Sequence, residues 1–383
     1  MAGIYIHIPY CKQKCHYCDF HFSVSLRTKD DLIRALKKEL ILRKDEIDEA
    51  VETIYFGGGT PSLLVDYEIK ELLDLINNNY DVIKDAEITL EANPDDLTQD
   101  YLEKLTKTPV NRLSIGVQSF FDEDLRFMNR AHTAEEAINS IKYAQSVGFE
   151  NITIDLIYGT PGLSITKWKQ NLATFLELNI PHLSSYALTV EDRTALDYFI
   201  KTKKIPPLND ALSKQHFEIL ISTLEDANYW QYELSNFAKD SFFSKHNSAY
   251  WQNKKYLGFG PSAHSYNTVS RSWNVANNSK YIKLLQNNIL PGSSESLTLA
   301  DRYNEYIMTG LRTMWGVSFD RIRLDFGIKY LDYFKNSIEH FVTNNQLRIV
   351  DFSINLGLDK RVTVSKEALF VIDGIISDLF YID

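Results

Sequence analysis

Short runs rich in Ile, Leu, Val, Tyr and Thr recur through the first half of the chain, at residues 4–8, 53–56, 87–90, 112–117, 151–156 and 182–188. Runs of this length and composition predict β-strands. Between them the apolar positions change to helical spacing: Leu32, Ile33, Leu36 and Leu40 within 30–43, Ile69, Leu72, Leu73 and Ile76 within 67–78, and Ala137, Ile138, Ile141 and Ala144 within 134–147. Recurrence at i, i+3, i+4 and i+7 predicts amphipathic helices. Six strand–helix units in series imply an α/β fold with a parallel sheet covered on its outer face. Six units suit a partial (β/α)6 barrel, with an open doubly wound sheet as the alternative. Either architecture brings together the residues just beyond the carboxyl ends of its strands, so chemistry is expected there.

The rhythm stops near residue 190. Residues 236–296, rich in aromatics, Asn, Ser and Lys without a clear period, read as an irregular linker or extension between a barrel domain over 1–235 and a smaller C-terminal domain over 297–383. In the latter, Leu299, Tyr303, Tyr306, Ile307, Gly310 and Leu311 mark one helix and 330–342 another, followed by a strand pair near 347–350 and 361–364 and a closing helix. Helices with a small β-ribbon suggest a winged-helix-like domain. The stripe over 319–326, with Tyr330, Tyr333 and Phe334, reads as its core. Gly258-x-Gly260-x-x-Ala263 satisfies the dinucleotide fingerprint as a string, but Pro261 occupies the turn and the following residues make a poor helix, so it reads as a loop.

Composition changes this picture little. At 383 residues, 44% hydrophobic and 24% charged, the chain has the profile of a globular protein of about two domains. Forty-one Lys and Arg against 51 Asp and Glu give a net charge of −10, which argues against a nucleic-acid partner. The most apolar stretch, 369–380, is broken by Asp373, Gly374 and Asp378, so no membrane span is expected, and residues 1–9 lack the features of an export signal.

The cysteines are more informative. All three, Cys11, Cys15 and Cys18, lie within eight residues after the first strand. Three thiols that close together point to metal ligation in a reducing compartment, and cytoplasm is the expected location. Three thiolates on one loop can hold three irons of a [4Fe–4S] cluster and leave the fourth open. The competing reading is a structural zinc completed by His7, His16 or His21.

Cys11-Lys-Gln-Lys-Cys15-His-Tyr17-Cys18 resembles the cluster motif of the radical S-adenosylmethionine (SAM) superfamily. Gly57-Gly58-Gly59-Thr60-Pro61-Ser62, at the end of the second strand, resembles that superfamily's glycine-rich SAM segment, where the absence of side chains lets the backbone approach the ligand. Together with Tyr5-Ile-His7-Ile-Pro9, Glu91-Ala-Asn93-Pro94, Ser114-Ile-Gly-Val-Gln118-Ser119-Phe120 and Asp155-Leu-Ile-Tyr158-Gly159-x-Pro161-Gly162, the chain is similar to the oxygen-independent coproporphyrinogen III oxidase family over nearly its whole length. The resemblance implies a [4Fe–4S] cluster on Cys11, Cys15 and Cys18. It implies SAM contacts at Tyr5, Gly58 and Glu91, and further SAM or substrate-side contacts at Tyr17, Gly59, Thr60, Gln118, Arg130 and Asp155.

Two departures from the decarboxylating oxidase favour the haem-chaperone branch of that family. Phe20 stands where the oxidase motif continues to a fourth cysteine, and ten residues precede Cys11 where the oxidase has a longer extension. His246-Asn247-Ser248-Ala249-Tyr250-Trp251 resembles the branch's haem motif, which implies His246 as an axial ligand with Tyr250 and Trp251 against the macrocycle. His264 and His7 are further candidate ligands. The branch implies haem as cargo and haem-requiring acceptors such as respiratory cytochromes, and it leaves room for peripheral membrane association and a homodimer. The alternatives are oxidative decarboxylation of coproporphyrinogen III and, against the charge, radical chemistry on a nucleic acid.

Overall fold

Six parallel strands, β1 (Ala2–Ile8), β2 (Val51–Gly58), β3 (Val82–Ala92), β4 (Arg112–Gln118), β5 (Ile152–Tyr158) and β6 (His182–Ala187), lie side by side in sequence order in the computed structural model. It describes residues 1–354 and 357–382; residues 355, 356 and 383 of the expected C-terminal domain lie outside the described set. The connections run through α1 (Lys29–Leu42), α2 (Asp66–Asn79), α3 (Gln99–Leu105), α4 (Asp122–Phe127), α5 (Ala134–Ser146) and α6 (Ile165–Glu177). This is the expected partial barrel, and α1, α2 and α5 start and end within a residue of the segments read from periodicity.

The first five barrel strands separate apolar from polar residues between their two faces. Ile4, Ile6 and Ile8, Ile54 and Phe56, Ile88 and Leu90, Leu113 and Ile115, and Ile154 and Leu156 are buried against the helices and form one continuous core. The residues between them, Tyr5, Tyr55, Glu91, Arg112, Ser114, Asp155 and Ser184, face a cavity of about 240 Å³ inside the barrel. The period of two therefore separates an apolar outer layer from a polar interior.

The segment 236–296 is not irregular. After α7 (Ala195–Lys201) and α8 (Asp210–Asp226), β7 (Trp230–Glu233) and β8 (Asn236–Ala238) extend the sheet beyond β6, with β8 antiparallel to it. Helix α9 (Lys245–Trp251) then leads to β9 (Tyr256–Phe259), which pairs parallel with β1, and to β10 (His264–Tyr266), β11 (Ser270–Asn274), α10 (Asn278–Gln286) and β12 (Gly292–Ser296). The result is a twelve-stranded sheet. Strands of three to five residues are too short to show a period, which is why the sequence reads as featureless here.

What locks this extension to the barrel is a buried polar cluster. Glu39 on α1, fully buried, accepts from Arg43 Nη1 (2.9 Å), the Gly260 amide (3.0 Å), Asn274 Nδ2 (2.7 Å) and the Tyr281 hydroxyl. Arg43 in turn donates to the Gly258 carbonyl (2.8 Å) and to Ser265 Oγ (3.1 Å). The Gly258-x-Gly260 pair serves the same packing. A Cβ at Gly258 would sit 2.1 Å from the His264 carbonyl, and Gly260, at φ +103°, would place one 2.5 Å from the His7 carbonyl. The fingerprint lies at the end of a short strand and leads into another strand, so its glycines serve backbone contact rather than a dinucleotide.

The C-terminal part has its own core of Tyr303, Ile307, Leu311, Ile322, Phe334 and Ile338. It comprises α11 (Leu299–Leu311), β13 (Val317–Ser318), α12 (Phe319–Asp325), α13 (Ile328–Thr343), β14 (Leu347–Ile354), β15 (Gly357–Val364) and α14 (Ile372–Asp378), with a three-stranded antiparallel sheet ordered β13-β15-β14. Helices flanking a small antiparallel ribbon match the winged-helix-like expectation. Phe319 and Phe326 pack on the core as read, whereas Leu324, in the same stripe, is 76% exposed. This part runs along the β7 edge: Leu234 N–H donates to Arg312 O (2.9 Å) and Met314 N–H to Tyr232 O (3.0 Å). Among the described residues no helix is long and apolar enough to cross a membrane.

Candidate functional site

The cysteine loop leaves the carboxyl end of β1 and returns to a bridge between Tyr10 and Ser23, with the Cys11 amide on Ser23 O (3.1 Å) and the Ser23 amide on Pro9 O (2.9 Å). Its crown docks on the segment after α4. The His16 amide donates to Met128 O (3.1 Å), its Nδ1 lies 2.7 Å from Phe127 O, Gln13 Nε2 donates to Asn129 O (2.7 Å), and Asn129 Nδ2 to Lys14 O (2.7 Å). Cys11, Cys15 and Cys18 are all free and partly exposed. Burial pushes the Cys11 thiol up to about 11 and raises Cys18, so these two are thiols at neutral pH and would release their protons on taking up iron.

The imidazoles that a zinc site would need are otherwise engaged. His7 bonds Tyr5 Oη (3.2 Å) and His21 O (3.0 Å), His16 holds Phe127 O, and His21 Nε2 lies 2.7 Å from Asn278 Oδ1. Among the described residues no three metal-ligating side chains converge as they would on a single ion. A cubane takes its thiolates one per iron, at separate corners. Arg130 Nη1 reaches Cys15 Sγ (3.4 Å) and places a fixed positive charge beside a group that is anionic once metal is bound. The three-cysteine loop thus fits a cluster better than a zinc.

The glycine turn abuts this loop. A Cβ at Gly59 would lie 2.6 Å from Tyr10 O and 2.8 Å from Ile8 O, and Gly58, at φ +105°, would place one 2.4 Å from His7 Nδ1. Only a bare backbone can lie this close to the loop. Gly58 N–H donates to Glu91 Oε2 (3.2 Å) and Tyr55 Oη to Glu91 Oε1 (2.7 Å). Burial, with Asp155 nearby, nevertheless pushes the Glu91 carboxyl up to about 7, and burial pushes Asp155 up to about 6. Both are acidic groups on the cavity wall, poised to gain from a cationic or hydroxyl-bearing ligand.

The remaining sequence-derived residues gather around the mouth. Arg130 Nη2 donates to Asn93 Oδ1 (2.6 Å) and Gly116 O (2.8 Å), and Asn93 Nδ2 to Thr60 Oγ1 (3.2 Å). Tyr17 lies within the electrostatic reach of Arg130, Cys15, Cys18 and Asp155. Gln118 ends β4 at φ +68°, where the β4–β5 register slips, a strained conformation for a residue with a side chain. Tyr5, Glu91 and Asp155 line the cavity itself.

His246 is placed elsewhere. Its ring is buried at the amino end of the barrel, with Nδ1 2.7 Å from Thr53 Oγ1 and Nε2 2.9 Å from Tyr250 Oη, and it stacks on Tyr55 at 4.9 Å. Glu87 accepts from the Lys245 and His246 amides (both 3.0 Å), seating the first turn of α9 on the middle of β3. Thr53 precedes Gly58 by five residues along β2, roughly 16 Å at a strand's rise. His246 therefore closes the cavity from the end opposite the cysteine loop, and to ligate iron it would have to give up one of its two ring hydrogen bonds. Trp251 lies beneath the Arg312 guanidinium at 5.9 Å, with its indole nitrogen buried and unpaired.

Several cavity residues escape the sequence reading, chief among them Arg112, 2% exposed with Nε unpaired, and Tyr55. A charged or phenolic side chain at the inward parity of a strand was the available signal.

Known proteins resemble the chain in the same terms. A model of the Radical SAM superfamily matches residues 5–174, and one of the HemN C-terminal domain matches 297–352. The "Heme chaperone HemW" of Bacillus subtilis (strain 168) is 36% identical over 85% of this chain and 87% of its own. The protein of the same name from Escherichia coli (strain K12) is 40% identical over 68% and 69%. The solved structure of coproporphyrinogen III oxidase (HemN) from Escherichia coli, described as a radical SAM enzyme, superposes with a TM-score of 0.83 over 99% of this chain and 90% of its own, at 23% identity. That last likeness is one of fold.

Proposed function

Because the chain belongs to the heme chaperone HemW family of radical SAM proteins, we propose that it binds haem and passes it to haem-requiring acceptors such as respiratory cytochromes. The observation that carries this reading is the 36% identity, over 85% of the chain, to a protein named a heme chaperone. It is supported by Phe20, 67% exposed where the oxidase motif continues to a fourth cysteine.

The radical SAM fold implies a [4Fe–4S] cluster and SAM. When bound, they supply a one-electron donor and an iron with a free coordination position for SAM. In the proposed arrangement Cys11, Cys15 and Cys18 hold the cluster, while Tyr5, Tyr17, Gly58, Gly59, Thr60, Glu91, Gln118, Arg130 and Asp155 hold SAM between the loop and the cavity. Glu91 is then the partner for SAM's amino group or ribose hydroxyls, oriented by Tyr55 and the Gly58 amide. The apolar outer layer of the sheet keeps this polar chamber apart from the face that packs on the helices.

The raised Glu91 carboxyl gives the proposal a pH signature. Below about 7 the group is protonated and neutral, and above it the carboxylate pairs with a cation. SAM affinity should therefore rise as pH is taken from 6 to 8, and Glu91→Gln should flatten that profile as well as weaken binding, both read by calorimetry on reconstituted protein. The linkage has the opposite sign for the empty protein. Because the folded value lies above the ordinary 4.5, stability from this group is full below about 4.5 and is lost as pH rises through about 7.

The direct test uses cluster-reconstituted protein under anaerobic conditions. We expect haem to bind with a defined absorbance change and to transfer to an apo-cytochrome, and coproporphyrinogen III with SAM and dithionite to yield no protoporphyrinogen. Product formation without haem retention would instead establish the decarboxylase.

A further inference from the structure

Of the nine histidines, seven hold a ring nitrogen in a hydrogen bond: His7, His16, His21, His132, His182, His216 and His246. His340 lies against its neighbour Phe341 on α13 and lines no cleft described above. His264 is different: its ring is exposed, makes no hydrogen bond, and stands opposite Trp273 across the β10–β11 hairpin, the rings 6.2 Å apart. Paired positions on one face of a hairpin present their side chains to the same surface.

That surface is a groove of about 570 Å³ between the hairpin and the end of α10. Its far wall is apolar, with Leu284, Ile289 and Leu290, and the last two are 52% and 43% exposed. The groove thus sets an apolar wall opposite an open imidazole, a combination suited to a flat ligand with a metal centre. Lys280, on the first turns of α10, stands at the rim and enters no ion pair. Burial and the nearby Arg271 hold the His264 ring below its ordinary value, so its lone pair is free at neutral pH.

On the reading that this protein carries haem, we propose that haem docks in this groove, with His264 as axial ligand, Trp273, Leu284, Ile289 and Leu290 against the macrocycle, and Lys280 pairing with a propionate. The three elements are those that haem recognition requires: a neutral imidazole, a flat apolar wall and a cation for the carboxylates. The location also connects the cargo to the cluster. Ser262 and Ala276 line both this groove and the adjoining trough of about 750 Å³ formed by the cysteine loop with Phe20, Phe22 and Val24. Haem here lies on the outer face next to the cluster loop, whereas His246 sits sealed at the other end of the barrel.

The test is an anaerobic haem titration of reconstituted full-length protein, wild type against His264→Ala, His246→Ala and Lys280→Glu, followed by absorbance and resonance Raman. His264→Ala should weaken haem at least tenfold and remove the imidazole–iron signature, and free imidazole should restore it. Lys280→Glu should weaken binding severalfold with the signature intact. His246→Ala should retain the wild-type haem spectrum in whatever fraction remains folded. Unchanged haem affinity and spectrum in His264→Ala, with wild type binding normally, would overturn this site and leave the chaperone reading standing. Failure of the wild type itself to bind haem would overturn both.

Discussion

Alanine at position 39 should lower the stability of the protein by about 3–5 kcal/mol, the range for breaking a buried ion pair, read as a fall in Tm by thermal denaturation. Glu39 is fully buried and is the common acceptor for Arg43, Gly260, Asn274 and Tyr281, donors from α1, the loop after β9, β11 and α10. Removing it strands donors that water cannot reach, and the cost of leaving such groups unpaired exceeds what their bonds add when made. The loss should be concentrated in the extension carrying His264, because that is what the cluster anchors. Hydrogen exchange should therefore show β9–β11 opening before β2–β5. A loss under about 1 kcal/mol, the ordinary effect of a surface change, would mean that the strand pairing of β1 with β9 holds the extension unaided.

Serine at position 15 should abolish the cluster. With two thiolates left on the loop, iron and sulfide after reconstitution should fall to background, and SAM binding should drop with them because the open iron is its anchor. Arg130→Met offers a graded comparison. The guanidinium contacts Cys15 Sγ without being a ligand, and loss of such a supporting group weakens metal sites by about 10–100-fold rather than eliminating them. Cys15→Ser with a full complement of iron would refute the assignment of that thiol.

The barrel was legible in the sequence because most of its strands are long and carry an apolar outer parity: Ile4, Ile6 and Ile8 in β1, Leu113, Ile115 and Val117 in β4. The cysteine loop and glycine turn were equally visible, since chemistry confined to adjacent residues survives as a string. What did not survive is anything assembled across the fold. Arg112 reads as one arginine opening a strand, and only the curvature of the partial barrel turns it into a buried cation lining the same cavity as Glu91 and Asp155. Nothing in the string His246-Asn-Ser-Ala-Tyr250-Trp251 says that Thr53 and Glu87, some 160 to 190 residues earlier, occupy the imidazole and the helix amides. The strands of 236–296 were missed for a related reason: each is so short that its place is set by its neighbour in the sheet, not by its own pattern.

The twelve-stranded sheet also has two ends, and unpaired strand edges invite other chains. One end is β12, Gly-Ser-Ser-Glu-Ser, every residue exposed and none apolar, so a neighbouring molecule that added a strand there would bury no side chain of value. The other end is β7, with Trp230 60% exposed, and the backbone of residues 312–314 runs along that edge. The C-terminal part thus serves as a guard against aggregation as well as a folding unit. A nascent chain that has completed β7 but not α11 exposes a sticky edge, and the interval before residue 314 emerges is when this protein most needs protection from its own copies.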